Sequence, residues 1–334
     1  MTAAPLASNR VGRTRLEVTG LGLGGATFGG VAAVETPAAL AVVERACAVG
    51  IRYFDTAPQY GYGKSEHIVG DVLRGHSGNC VSTKVGRLLR PLHDVRAAGD
   101  IWHRPLPFEP VYDYSYDGIM RSHEDSLQRL GLDHVDALFI HDPDVYVRET
   151  GQDQKAFRAA VESAYRALDT LRSGGTVTAI GIGVNDAQPI LDSLDLGQWD
   201  MFMLAGRYTL LEQAPLHTLL PAVERHGASV VIAGPFNSGI LAGRDTWNYA
   251  QAPAAVRERV SSIAAICAAY AVPLPAAALQ FPLAHPAVVS TVPGPRSASE
   301  VDQILEWWNL TIPSGLWRDL KSARLIDEAS PIPN

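Results

Sequence analysis

The sequence predicts an α/β fold in which eight parallel strands, each followed by a helix, close into a (β/α)8 TIM barrel. Eight short apolar runs alternate with segments of helical period along most of the chain. Strands that are apolar on both faces are typical of a parallel sheet covered by helices. Because no Gly/Ser-rich linker interrupts the pattern, we expect residues 1–334 to form a single barrel domain with a core of about 12–326. An open doubly wound sheet is the alternative topology.

The chain before the first strand predicts a loose leader and a small hairpin. Residues 1–11 show no regular pattern, whereas residues 12–20 carry Leu16 and Val18 in alternation. The glycines that follow match GxGxxG formally at Gly20, Gly22 and Gly25. That fingerprint binds a dinucleotide only where a helix N-terminus follows at once, and residues 26–35 are loop-like. The glycines instead predict a first strand over which another part of the chain packs closely.

The remaining elements follow from apolar runs and helical periods. The predicted strands are 21–25, 51–55, 80–84, 135–141, 177–183, 201–205, 229–233 and 288–292. The predicted helices are 37–49, 65–74 with Ser65 as its cap, 116–130, 154–172, 189–194, 216–226, 254–270, 275–283, 297–308 and 314–326. Residues 86–114 break this rhythm after the third strand. They are too long for a plain connector, so we expect a lid or binding loop.

Composition excludes several classes of protein. The net charge is −7, and no basic face is visible, which argues against a nucleic-acid partner. No apolar run approaches the roughly 20 residues that span a bilayer, and the first residues lack the pattern of a signal peptide. We therefore expect a cytoplasmic protein. Cys47, Cys80 and Cys267 stand far apart without a CxxC pair, which predicts small core residues and no metal site.

Polar side chains stand at successive strand ends, where the chemistry of a barrel is located. The second strand ends in Asp55 and is followed by Tyr60, the third ends in Lys84, the fourth ends in His141, and the fifth leads into Asn185. We expect Asp55 to hold Lys84, and the ammonium to favour the Tyr60 phenolate so that it exchanges a proton near neutrality. With His141 on the substrate oxygen, the set could move a proton while a hydride moves at the same carbon.

Simpler interpretations of these residues stay open. Asp55 and Lys84 could form only an internal ion pair. His141, Asp142 and Asp144 are a compact group that a metal-dependent barrel hydrolase could use, although no second His accompanies them.

Five motifs together resemble the aldo-keto reductases. They are FDTAPQYG at 54–61, STKV at 82–85, LFIH at 138–141, IGIGVN at 180–185 and PGPR at 293–296. The resemblance covers about residues 12–326. It implies a catalytic tetrad of Asp55, Tyr60, Lys84 and His141, with Tyr60 as general acid/base. It also implies a nicotinamide dinucleotide that lies extended across the barrel mouth.

The resemblance further implies which residues bind that cofactor. They are Gly25, Thr27, Asp55, Asn185, Tyr208, Pro235, Asn237, Gly239, Leu241, Gly294, Arg296 and Glu300. The chain departs from the family at Val184, at Ala205 or Gly206, and at Ala233. These departures leave open how the nicotinamide ring is held. Glu300 would repel a 2′-phosphate, so we expect NAD in preference to NADP, although Arg296 could pair with the phosphate.

Within the family, residues 82–89 and 204–211 are most similar to the D-threo-aldose (L-fucose) 1-dehydrogenases and the pyridoxal 4-dehydrogenases. That similarity implies NAD-dependent oxidation of a cyclic hemiacetal to a lactone, on a sugar or on pyridoxal. An NADPH-dependent aldehyde or ketone reductase and a cofactor-binding regulatory subunit are the alternatives. We expect a small-molecule substrate, no nucleic-acid or membrane partner, and a monomer or small homo-oligomer. The expected pocket residues are Phe28, Tyr60, Trp102, Tyr112, His141, Phe236 and Trp247, with Tyr114 and Tyr249 on the same loops.

Overall fold

A computed structural model describes residues 6–31, 33–92 and 101–333. Its strands are β1 (Ser8–Arg10), β2 (Glu17–Thr19), β3 (Leu23–Gly24), β4 (Tyr53–Asp55), β5 (Cys80–Val85), β6 (Arg87–Pro91), β7 (Phe108–Tyr112), β8 (Ala137–His141), β9 (Ala179–Val184), β10 (Met201–Ala205), β11 (Ser229–Ala233), β12 (Thr246–Trp247), β13 (Ala250–Gln251) and β14 (Val288–Val292). Its helices are α1 (Thr36–Ala48), α2 (Lys64–Leu73), α3 (Tyr116–Leu130), α4 (Pro143–Glu149), α5 (Gln154–Ser173), α6 (Gln188–Leu191), α7 (Leu219–His226), α8 (Ala254–Ala269), α9 (Leu274–Gln280), α10 (Ala298–Asn309) and α11 (Ser314–Ser322).

Eight of these strands form one parallel sheet that follows the order of the chain. The strands β3, β4, β5, β8, β9, β10, β11 and β14 each pair with the next. The two ends of the sheet meet, because Leu21 bridges Thr291 in parallel. Gly22 N donates to Thr291 O, and Thr291 N donates to Gly20 O, both at 2.9 Å. The predicted barrel is therefore confirmed, and the open sheet is excluded.

The barrel interior is filled by alternate residues of the strands. A buried apolar cluster contains Tyr53, Phe139, Met203, Val231 and other strand residues of the same parity. Since successive side chains of a strand point to opposite faces, the residues two positions further on also point inward. By this rule, the polar residues at the carboxyl ends of the strands also point inward, and they lie above the apolar interior. The helices cover the outer face of the strands through a second, larger cluster.

An N-terminal hairpin lies against the opposite end of the barrel from the mouth. Its strands β1 and β2 pair antiparallel, and Val18 belongs to the interior cluster. Asn9 Nδ2 donates to Val289 O, and Gly12 N donates to Ser229 Oγ, both at 2.8 Å. The hairpin was predicted at residues 12–20, but its first strand lies within the segment expected to be a loose leader. That strand, Ser8–Arg10, is exposed and carries no apolar alternation that would mark it.

The segment expected to be a long loop is partly an antiparallel ribbon. The strands β6 and β7 pair from Arg87 with Tyr112 to Pro91 with Phe108. This ribbon was not predicted from the sequence because it contains prolines at positions 91 and 110. Within sheets, Pro is tolerated only at the edges. The inner part of the loop, residues 93–100, lies outside the described residues. Helix α4, directly after β8, was also not predicted.

Ser65 does not cap helix α2, as the sequence had suggested. The helix begins at Lys64 after Gly63, whose φ of 96° is left-handed. The Ser65 hydroxyl instead donates to Gly25 O at 2.8 Å and lies 2.8 Å from Thr56 Oγ1. It therefore joins the ends of the first two barrel strands. At Gly25 a Cβ would lie 2.5 Å from Ser65 Oγ, so this contact requires glycine.

Two further sequence predictions can be compared with the structure. Cys47, Cys80 and Cys267 are buried and free, as expected of core residues. Within the described residues no single helix is both long and apolar enough to cross a membrane. Helix α8 and the segment Leu274–Ala284 satisfy the length and composition criteria only as a pair bent by 100°.

Leu21→Ala tests the importance of barrel closure. Leu21 is fully buried at the seam, so the cavity should lower the free energy of unfolding by about 3 kcal/mol. Leu310→Ala, at a position 36% exposed, is the control and should cost less than about 0.5 kcal/mol. Urea denaturation measures the free energy of unfolding of both variants. Equal losses in the two variants would contradict the closed seam.

Candidate active site

The mouth of the barrel gathers the polar residues that the sequence placed at strand ends. Asp55 lies two residues after Tyr53 on β4, and His141 lies two residues after Phe139 on β8, so both share the inward face. Lys84 on β5 lies two residues after Ser82, which pairs with Asp55 in the sheet register. The register of the parallel strands therefore directs the three side chains into one volume.

Asp55 and Lys84 form a buried ion pair. Lys84 Nζ donates to Asp55 Oδ2 at 2.6 Å and to Thr56 O at 2.9 Å. Ser82 Oγ donates to Asp55 Oδ1 at 2.8 Å, and Tyr53 OH lies 3.0 Å from Ser82 Oγ. The two charged side chains are 3% and 2% exposed. These hydrogen bonds offset the loss of hydration that a buried pair suffers.

The lysine of this pair is charged at neutral pH. Burial lowers the pKa of Lys84, but the Asp55 and Tyr60 oxygens raise it by more, so that it lies above its usual value. Burial raises the pKa of Asp55, while Lys84 and Ser82 oppose the shift. An ammonium is thus fixed at the mouth.

Tyr60 lies beside this ammonium. Lys84 Nζ is 4.5 Å from the centroid of the Tyr60 ring. The turn after β4 is closed by Tyr60 N donating to Ala57 O at 3.1 Å. It continues through Gly61 with φ of 63°, where a Cβ would lie 2.5 Å from Gly29 O. Glycine at 61 therefore allows the loop after β3 to press against the turn that carries Tyr60.

The pKa of Tyr60 differs from the expectation. Burial raises the pKa of the phenol to about 12, and Lys84 lowers it by less than burial raises it. Asp55 and Tyr249 also raise it. The prediction that Tyr60 exchanges its proton near neutrality in the free protein is wrong, because desolvation outweighs the ammonium. Tyr60 is protonated at rest.

His141 is a neutral imidazole at the same mouth. It is 6% exposed, and its ring lies edge-on to the Tyr60 ring with centroids 5.9 Å apart. Burial lowers its pKa well below the usual value, and the charges of Arg87 and Lys84 lower it further. The ring can therefore donate one hydrogen bond without carrying charge.

The expected pocket residues divide into two groups. Trp102 packs on Tyr60 with ring centroids 5.8 Å apart, so it belongs to the mouth. The other four contact different parts of the protein. Phe28 is fully buried, Tyr112 OH donates to Glu149 Oε2 at 2.5 Å, Phe236 packs edge-on to Trp307 at 5.9 Å, and Trp247 Nε1 donates to Glu212 Oε1 at 2.7 Å.

Tyr249 is better placed than most of the expected pocket residues. It is 69% exposed, and its hydroxyl lies 3.4 Å from Asn185 Oδ1. A negative charge on its phenol would raise the pKa of Tyr60, so the two hydroxyls lie in the same part of the site. The hairpin of β12 and β13 that carries it is too short to give a signal in the sequence.

The candidate cofactor residues lie in two different parts of the structure. Thr27 Oγ1 donates to Pro295 O at 3.0 Å, and a Cβ at Gly294 would lie 3.0 Å from Thr27 Cγ2, so the first and last loops of the barrel meet. Tyr208, by contrast, lies in the core against Phe281 and His285, with centroids 5.7 and 5.8 Å away. The structure therefore does not place Tyr208 at the mouth.

Buried side chains fix the segment that follows β11. Asn237 is buried, with Nδ2 donating to Gly206 O at 2.9 Å and Oδ1 accepting from Thr209 Oγ1 at 2.5 Å. Leu241 is fully buried in the core, next to the half-buried Gly239 segment. These residues hold the loop, whereas Pro235 precedes them at the strand end.

Charged groups cluster at the start of helix α10. Arg296 donates to Glu300 through Nε at 3.0 Å, through Nη2 at 2.7 Å and through its backbone N at 2.8 Å. Arg244 lies close enough that Arg296 and burial lower its pKa. The sequence analysis missed Arg244, since nothing in its local pattern marks it.

The acidic residues near His141 do not form a metal site. Asp142 Oδ2 accepts from Arg87 Nη2 at 2.8 Å, so this carboxylate already has a cation partner. No group of three or more His, Cys, Asp or Glu residues arranged to hold a metal ion occurs in the part of the chain that the structure describes.

A family model described as "Aldo/keto reductase family" matches residues 20–324. The chain belongs to the aldo/keto reductase family.

Relatives and solved structures agree with this assignment. The chain is 44% identical to a pyridoxal 4-dehydrogenase of Microbacterium luteolum, over 95% of this chain and 97% of that protein. It is 40% identical to a D-threo-aldose 1-dehydrogenase of Pseudomonas sp, over 93% and 95%. An aldo-keto reductase from Bacillus halodurans has the same fold, with a TM-score of 0.75, 22% identity and 97% coverage of both chains. The protein is thus an oxidoreductase that acts on CH–OH donors.

The residues present fit the nicotinamide cofactor of this family. Gly206 and Gly234 follow β10 and β11 with φ of 66° and 58°, and a Cβ on either would meet nothing closer than 3.7 Å. With Ala205 and Ala233 beside them, they leave an open shelf next to the half-buried Asn185 amide. A flat ring and its carboxamide match such a shelf and such an amide in shape and hydrogen-bonding chemistry.

Asp55→Asn tests the ion pair. It leaves the Lys84 ammonium buried without its partner, so the free energy of unfolding should fall by about 3 kcal/mol. The matched control is Glu35→Gln at the exposed Glu35–Arg104 pair, which should change stability by less than about 1 kcal/mol. Chemical denaturation of both variants checks this. Equal losses would show that the buried pair has no special role in stability.

Proposed function

We propose that this reductase-family member is an NAD-dependent dehydrogenase that oxidises a cyclic hemiacetal sugar of the D-threo-aldose or L-fucose type at C1 to the lactone. The observation that carries the proposal is the Tyr60 phenol beside the fixed Lys84 ammonium, with neutral His141 edge-on to the same ring. A hemiacetal carbon bears both the hydroxyl that must lose a proton and the hydrogen that must leave as hydride. The name of the 40% identical relative supports a sugar as substrate.

Each side chain has a distinct role. In its phenolate form, which is a small fraction of the protein at neutral pH, Tyr60 accepts the proton of the anomeric hydroxyl as the carbon–oxygen double bond forms. His141 donates a hydrogen bond to the same oxygen and orients it. Lys84, fixed by Asp55, stabilises the negative charge on the Tyr60 oxygen. The oxidised nicotinamide, when bound, supplies the hydride acceptor.

Pyridoxal is the second candidate substrate, because the 44% identical relative is named for it. Its hemiacetal undergoes the same loss of proton and hydride, so the tetrad serves either substrate. Trp102 next to Tyr60 provides an aromatic surface that suits a pyridine ring or the apolar face of a sugar. NADH formation at 340 nm with L-fucose, D-arabinose, L-galactose and pyridoxal distinguishes the candidates. Absence of turnover with all four would contradict hemiacetal oxidation.

Tyr60→Phe tests the proton acceptor. The variant keeps the ring contacts with Trp102 and His141 but lacks the oxygen that takes the proton. We expect kcat to fall by at least about a hundredfold, with the free energy of unfolding little changed. Steady-state kinetics and denaturation check both parts, and wild-type turnover in the variant would refute the role of Tyr60.

The raised pKa of Tyr60 predicts the pH dependence of oxidation. Below about pH 12 the phenolate fraction rises with pH, so kcat/KM for oxidation should increase by up to about tenfold per pH unit between pH 7 and 9. The reverse reduction uses the protonated phenol and should stay nearly constant over that range. Initial rates in both directions measure this, and a flat oxidation profile would contradict it.

Glu300 supports the preference for NAD. It engages Arg296 through three hydrogen bonds, so that guanidinium is already neutralised at the place where a 2′-phosphate would bind. Arg244 supplies an opposing positive charge close to Arg296. A carboxylate can also accept hydrogen bonds from a ribose hydroxyl.

Glu300→Gln should therefore raise kcat/KM for NADP relative to NAD by about tenfold, equivalent to about 1.4 kcal/mol. The matched control is Arg244→Ala in the same background, which should reverse part of the gain. Kinetics with both dinucleotides measure the ratio. A wild-type preference for NADP of tenfold or more would overturn the proposed cofactor.

A further inference from the structure

Asp142, directly after His141, has an unusual backbone and side-chain arrangement. Its φ is 44°, in the left-handed region that costs L-residues of order 1–2 kcal/mol. It stands at the N-cap position of α4, where an Asp ordinarily accepts a bond from the first turn. It makes no such bond. Its carboxylate points instead at Arg87, with 2.8 Å from Oδ2 to Nη2, and at His141, with 3.5 Å from Oδ2 to Nε2.

The two ring nitrogens of His141 have different surroundings. Its Nδ1 is buried, and no hydrogen-bond partner for it occurs among the described residues. A neutral imidazole carries one N–H, and the nearby acceptor decides which nitrogen bears it. Asp142 Oδ2 near Nε2 favours the Nε2–H tautomer. At 3.5 Å the contact is longer than a good hydrogen bond, so the same N–H remains able to bond to a substrate oxygen.

Arg87 supplies the balancing charge. It is 7% exposed, and its guanidinium lies 5.2 Å from the centroid of the Tyr112 ring. The chain reverses just before it at Gly86, whose φ is 102° and where a Cβ would lie 2.3 Å from the Tyr114 ring. A carboxylate alone beside His141 would favour the charged imidazolium. Arg87 opposes this, since its charge lowers the pKa of His141.

We propose that Asp142 and Arg87 are positioning residues that together keep His141 neutral and in the Nε2–H tautomer. Asp142 selects the nitrogen that carries the proton, and Arg87 prevents that carboxylate from charging the ring. This proposal goes further than the proposed function. It depends on that function in one point only, which is that His141 Nε2 donates the hydrogen bond to the substrate oxygen. Neither residue needs to touch the substrate.

Charged and titratable groups surround Asp142 on every side. They are Lys84 on the third barrel strand, Arg87 just after it, Tyr112 and Tyr114 from the ribbon segment, Asp144, Arg148 and Glu149 on α4, and Tyr249 on the small hairpin. Burial raises the pKa of Asp142 to about 6, and Arg87 opposes the rise. The carboxylate is therefore lost as the pH falls through about 6, and kcat of the reverse reduction, which does not need the Tyr60 phenolate, should fall with it. Asp142→Asn should lack this acid limb.

Nitrogen NMR of histidine-labelled full-length protein tests the tautomer without substrate or cofactor. His141 is assigned among the ten histidines by its loss in His141→Gln. The wild type should show Nε2–H at pH 7.5. Asp142→Asn should show a mixture of tautomers, and its kcat should fall by about a hundredfold with KM within about threefold. Arg87→Met should raise the pKa of His141, because one of the charges that lower it is removed.

Two controls separate positioning from stability. Asp144→Asn changes a neighbouring carboxylate on α4 and should leave the tautomer and kcat as in the wild type. The double variant Arg87→Met/Asp142→Asn removes both buried charges and keeps a residue that tolerates the left-handed backbone at 142, so it should be stable even if a single variant is not, and it should show neutral His141 without tautomer preference. An unchanged tautomer in Asp142→Asn or the double variant would overturn the proposal, even if kcat fell. Wild-type protein with the Nε2–H tautomer but no dinucleotide-dependent turnover would instead refute the proposed function.

Discussion

The mouth of this barrel depends on a fixed, buried ammonium. Lys84 reaches its position because β4 and β5 pair with Asp55 opposite Ser82, two residues before Lys84 on the same face. Burying such a pair costs several kcal/mol per ion before attraction and hydrogen bonds offset it. Ser82 and the Thr56 carbonyl provide those bonds. The lysine is therefore charged at neutral pH and cannot move away from Tyr60.

The other two members of the tetrad take their properties from this ammonium and from burial. For Tyr60 the two effects are opposed, and burial prevails, so the phenol is protonated at rest. For His141 they act together, and the ring is neutral. One residue is thus kept as a proton carrier and the other as an uncharged donor. In the resting form Tyr60 can give a proton to an oxygen that His141 holds, and in the phenolate form it can take that proton back.

The sequence predicted the barrel, its eight strands and the tetrad, because apolar runs ending in polar residues report directly on parallel strands and their carboxyl ends. It could not predict contacts between distant segments. Ser65 has the form of a helix cap but joins two strand ends instead. Tyr208 stands in a family-like motif, yet its side chain turns into the core. Arg87 and Asp142 are 55 residues apart, and only the fold shows that they meet beside His141.

The most direct test of this account is the ionisation of Tyr60 itself. The ring-carbon NMR signal of Tyr60, in tyrosine labelled at the ζ carbon and assigned with Tyr60→Phe, reports the state of the phenol in the free protein. We predict that it stays protonated through pH 10, where an ordinary tyrosine is about half ionised, and that Lys84→Met/Asp55→Asn raises its pKa further. A phenol that ionises below pH 8, or a pKa unaffected by loss of the ammonium, would contradict the account.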